Sequence, residues 1–63
     1  MSSRTAAELS SLESQLDQLI ARVGTLARAA EPGRRDDLIV TLHEVERALR
    51  EARRQTAQAT RLV

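Results

Sequence analysis

Residues Leu9 to Leu26 read LSSLESQLDQLIARVGTL, and the fold turns on this stretch. Its large apolar residues Leu9, Leu12, Leu16, Leu19, Val23 and Leu26 alternate at spacings of three and four, an unbroken heptad stripe that demands a second helix alongside it. Beyond the stripe, Ala27, Ala29 and Ala30 have high helix propensity, and Thr5-Ala6-Ala7-Glu8 reads as a capping box just before the first leucine. The first helix is therefore expected over about residues 5–30, after a polar Met1 to Arg4 lead expected to fray. Gly24 lies inside it, either as a tolerated surface glycine or as a point of close backbone approach or bending.

Glu31-Pro32-Gly33-Arg34-Arg35 is the one cluster of helix breakers, and it reads as a loop over 31–35. Asp36 and Asp37 then offer an N-cap and favourable charge for a second helix over about 36–61. Its apolar stripe, Leu38, Leu42, Val45, Leu49, Ala52, Thr56, Ala59 and Val63, keeps the same heptad rhythm. A short loop between two such helices makes an antiparallel hairpin. Folding about Pro32-Gly33 sets residues whose numbers sum to about 65 opposite each other, so Leu26 would meet Leu38 and Leu16 would meet Leu49. The same fold puts Glu13 beside Arg53.

The whole 63-residue chain is thus read as one all-α domain, an antiparallel two-helix coiled coil. Ile20, Ala27 and Ile39 lie one step off the stripe and widen the apolar surface beyond what one helix pair covers. A core this small has little net stability, and the chain has no Cys and only one His, which leaves association as the stabilising device. Two hairpins packed as a four-helix bundle with twofold symmetry is the expected assembly, its interface drawn from the two stripes together with Ile20 and Ile39. Ile20, Ile39 and Val40 are the candidates for a further contact patch.

The composition argues against most chemistry. There is no aromatic residue, and all ten basic residues are Arg, against nine acidic ones. The formal charge of +1 supports no global attraction to nucleic acid or to an anionic membrane. The absence of any long apolar run or signal-peptide core points to a soluble, cytoplasmic protein. His43 sits at an outer helical position without companions, and the carboxylates Asp36, Asp37, Glu44, Glu46 and Glu51 fall outside the stripe, so neither a metal site nor any cofactor is expected. Ser10, Ser11 and Ser14 have no base nearby in the sequence, and no enzymatic constellation or small-molecule substrate is expected.

One charge pattern stands out. From Arg47 to Arg61 the local balance is +4, while the first half of helix 1, with Arg4, Glu8, Glu13 and Asp17, balances to −2. Arg47, Arg50 and Arg54 share an outward face, with Arg61 one heptad beyond Arg54, a row able to meet phosphates. In architecture the chain resembles the Rop family of plasmid copy-number regulators, small helical hairpins that dimerise into four-helix bundles and bind paired RNA loops. The hairpin plan, the size and a Leu42-His43-Glu44 stretch carry that resemblance. Rop-like RNA recognition uses a central aromatic on the first helix, which this chain lacks, so the resemblance implies the architecture alone. The functional expectation is a non-enzymatic interaction module that pairs with itself and with another protein as scaffold, adaptor or small regulator. The alternative is a Rop-like nucleic-acid-binding regulator using the Arg row.

Overall fold

A computed structural model describes residues 3–33 and 35–63. Two long helices, α1 (Ser3–Ala30) and α2 (Asp36–Arg61), pack against each other as a hairpin, with a short 3₁₀ turn over Glu31–Gly33 between them. Helix α1 starts earlier than the capping box implied: Ser3 and Arg4 are already helical, so Thr5 lies in the first turn and not at the cap. No residue from Arg4 to Ala7 is a breaker, so nothing stops the helix propagating backwards from the stripe. Met1 and Ser2, part of the expected lead, and Arg34 of the expected loop lie outside the described residues.

The start of α2 departs from expectation in detail. Arg35 occupies the cap position without a side-chain cap bond, and Asp36 and Asp37 form the first turn. The Asp37 carboxylate instead accepts a hydrogen bond from the Leu38 amide at 2.8 Å and pairs with the Arg35 guanidinium at 3.5 Å. Both acidic residues still sit at the positive end of the helix dipole.

Each helix presents three parallel rows. On α1 the central row is Leu9, Leu16 and Val23; Glu13, Ile20 and Ala27 form one flank, and Leu12, Leu19 and Leu26 the other. On α2 the corresponding rows are Leu42, Leu49 and Thr56; then Ile39, Glu46, Arg53 and Thr60; then Leu38, Val45 and Ala52. Between two helices there is room for about two rows from each. The hairpin buries the central row with the first flank, and those residues are half-buried or, at Ala27, buried. The leucine flank stays exposed, so the intramolecular seam is rotated by one position from the one that side-chain size suggested.

Arg53 reaches Glu13, the contact expected from folding the chain about Pro32-Gly33, and it also reaches Asp17, while Thr60 reaches Glu13. The 3₁₀ turn of Glu31–Gly33 follows α1 directly.

Gly24 is not a point of close helix approach. A Cβ built there would meet only the Arg28 guanidinium, at 3.5 Å and 3.9 Å, which is ordinary contact. Gly24→Ala is therefore expected to stabilise the fold by about 0.5–1 kcal/mol through helix propensity, raising Tm by several degrees in thermal unfolding followed by circular dichroism.

Candidate interaction face

The two exposed flanks lie on one side of the hairpin. An antiparallel helix pair is related by an approximate twofold axis perpendicular to the plane of the pair, and that axis keeps each side of the plane on its own side. Leu12, Leu19 and Leu26 follow the central row of α1 by three positions, and Val45 and Ala52 follow that of α2 by the same three, with Leu38 one heptad earlier. Equal offsets put them on the same side. Leu12, Leu19, Leu26, Leu38 and Val45 are 47%, 40%, 58%, 39% and 40% exposed, making a continuous apolar face along both helices. Among the described residues, only Ala27 is buried in the hairpin itself, at 3% exposure.

The opposite side is charged. Arg53 donates from Nε to Asp17 Oδ1 at 2.9 Å and from Nη2 to Oδ2 at 3.4 Å, while its Nη1 lies 3.4 Å from Glu13. Thr60 donates to the Glu13 carboxylate at 2.8 Å, closing a cluster that ties the distal half of α2 to α1. Glu46 accepts from Arg50 at 2.8 Å and has His43 4.0 Å away. The sequence shows the Glu13–Arg53 contact; it misses Asp17, whose only signal is its position one turn after Glu13, and Thr60.

These hydrogen bonds set the acid behaviour of the fold. The Arg53 hydrogen bond, followed by its charge, holds the Asp17 carboxyl below its ordinary value of 3.8, and the Arg50 hydrogen bond does the same to Glu46 from 4.5. A depressed folded-state value means stability that is present above the ordinary value and is lost as pH falls through the lowered one. Helix content is expected to be flat from about pH 7 to 5 and to decline below about pH 4, with a weaker decline in Asp17→Asn, in an acid titration followed by circular dichroism.

The remaining sites take their places around this division. Ile20 and Ile39 are half-buried between the helices, whereas Val40 is 61% exposed and away from the leucine flank, so these three do not form a leftover patch. Leu9, Leu16, Val23, Leu42, Leu49 and Thr56 occupy the central rows, and Ala52 joins the exposed flank. The Thr56 hydroxyl is satisfied by the Ala52 carbonyl at 2.8 Å, which lets a threonine stand in an apolar row.

The Arg row is exposed and internally paired: Arg47 with Glu44 at 3.5 Å, Arg50 with Glu46 at 2.8 Å and Arg54 with Glu51 at 3.1 Å. Arg50, Arg53, Arg54 and Arg61 surround a shallow groove that is also lined by Asp17, Ile20 and Ala57. No group of three metal-ligating side chains occurs among the described residues, and no helix is long and apolar enough to cross a membrane.

Comparison with protein-family models, curated proteins and solved structures gives no match. The functional reading therefore rests on the two faces themselves.

Proposed function

We propose that the chain is a non-enzymatic protein–protein interaction module, a helical hairpin that homodimerises through its leucine face into a four-helix bundle and serves as a scaffold, adaptor or small regulator for another protein. One observation carries this reading: among the described residues the hairpin buries a single small one, while five large apolar side chains lie exposed along one side. A 63-residue chain with so little interior lacks the burial needed to offset its conformational entropy. Closing a second hairpin over the leucine face turns the central rows and the leucine flanks together into one interior, with the geometry of a four-helix bundle. The stripe of Leu9, Leu12, Leu16, Leu19, Val23 and Leu26 then becomes the bundle's core line, and the Ile20 and Ile39 flank seals the joint within each hairpin.

Sedimentation equilibrium and circular dichroism across a dilution series test the proposal. Mass and helicity are expected to fall together on dilution. A stably folded monomer at micromolar concentration would refute it.

The groove bounded by Arg50, Arg53, Arg54 and Arg61 supports a second reading, a nucleic-acid-binding regulator that meets duplex phosphates with Arg47, Arg50, Arg54 and Arg61. Binding would then weaken steeply with salt, and each Arg removed would lower the salt slope by roughly one unit. Absence of duplex binding at low salt excludes this reading.

A further inference from the structure

We infer that the charged side of the hairpin is a docking groove for an acidic helix of a partner protein, one that carries carboxylates at heptad spacing. The inference rests on reading the chain as an interaction module and names the chemistry of its partner.

Two shallow grooves run along this side and meet at Arg50. Toward the free end, Arg53, Arg54 and Arg61 join Arg50 around Asp17, Ile20 and Ala57; toward the loop, Arg28 and Arg47 join it around His43 and Glu46. The two linings together hold six Arg against two carboxylates, a balance of +4 with His43 neutral, whereas the whole chain carries +1. Positive charge is therefore gathered here. The two walls also differ. The outer row of α2 beside the groove is Arg47, Arg54 and Arg61, while the corresponding surface of α1 is Ser10, Ser14 and Ala21, all small and exposed. A helix laid in the groove can approach α1 closely and turn its side chains toward the guanidinium groups of α2.

Those groups are available to a ligand. Arg47, Arg50 and Arg54 each pair with one carboxylate of their own helix, on largely exposed Arg side chains, and such pairs are weak. A guanidinium has more N–H donors than one carboxylate occupies. Arg61 makes no ion pair among the described residues. Closing a second hairpin over the leucine face leaves this opposite side open, so dimerisation and docking do not compete.

Spacing selects the ligand. Arg47, Arg54 and Arg61 recur every seven residues, about 10.5 Å apart along the axis and about 21 Å from end to end. A helix lying alongside repeats its carboxylates at the same interval when its acidic residues stand one heptad apart. An extended chain repeats a face about every 6.7 Å and misses the middle Arg. A nucleic-acid duplex offers phosphates continuously and would press charge against Asp17 and Glu46 inside the groove. A peptide can set neutral residues at those two points.

The probe is a fluorescently labelled synthetic peptide of about 20 residues, Ala-rich and helix-forming, with Glu at three successive heptad positions. Titrated into the full chain and followed by anisotropy, it is expected to bind at low salt, to gain helix content on binding and to weaken as ionic strength rises. A scrambled peptide of the same composition is expected to bind about tenfold less tightly. Arg54→Glu, at an exposed position where the helix content of the free protein should not change, is expected to weaken the original peptide about tenfold or more, and a peptide with Lys for its middle Glu to recover most of that loss. Equal binding of the scrambled peptide, or tighter binding of duplex RNA at the same salt, overturns the inference. A chain that sediments as a dimer and binds no peptide also overturns it and leaves the dimer standing. Peptide binding by a monomeric hairpin upholds the groove and removes the dimer instead.

Discussion

Leu19→Asp is expected to abolish the dimer and most of the helix content at micromolar concentration. In a lone hairpin this side chain is 40% exposed, and a carboxylate there would be nearly harmless. In the proposed bundle it lies beneath the second hairpin, where an unpaired carboxylate costs several kcal/mol. The control is Val40→Asp, at a residue that is 61% exposed and away from the leucine face. It introduces the same charge into the same small protein and is expected to leave mass and helicity unchanged. Sedimentation equilibrium with circular dichroism separates the two variants. Retention of mass and helicity by Leu19→Asp would show that the leucine face is not the point of association.

Leu16→Ala has the second large effect, through the interior instead of the interface. Leu16 stands in the central row, half-buried within the hairpin and enclosed fully by a bundle. Truncating such a leucine costs about 2–3 kcal/mol per chain, and so about 4–6 kcal/mol per dimer. Urea unfolding at fixed protein concentration should show the loss as a large drop in midpoint. Leu12→Ala is the informative comparison. At 47% exposure in the hairpin its truncation would cost only a few tenths of a kcal/mol in a monomer, but nearly as much as Leu16→Ala in the bundle. The ratio of the two costs measures how completely the leucine flank is covered.

The periodicity made the helices, their antiparallel pairing and the bounds of α2 legible, because heptad spacing has one physical meaning whatever the local detail. The rotation of the seam was less accessible. Both flanks of the central row are apolar, and by size alone Leu12, Leu19 and Leu26 outrank Ile20 and Ala27. Polar chemistry decides between them: Glu13, Arg53 and Thr60 all lie in the flank that pairs, and only in that rotation do they reach one another. Small size at Ala27 also lets the helices close. The expected fold about Pro32 and Gly33 put Glu13 beside Arg53, and that contact is present at 3.4 Å.

The Glu13, Asp17, Arg53 and Thr60 cluster gives the hairpin two unlike ends. Toward the loop the helices are held by apolar contact through Val23, Ala27, Ile39 and Leu42; toward the termini, where α2 thins to alanine and threonine, charge and hydrogen bonds take over. The molecule is a zipper whose closed end ignores the solvent and whose open end senses it. Raising the ionic strength should loosen amide protons around Glu13 and Arg53 first, leaving those around Ala27 and Leu42 protected, so that hydrogen exchange would trace a fork that advances from the termini toward the loop as salt or acid increases.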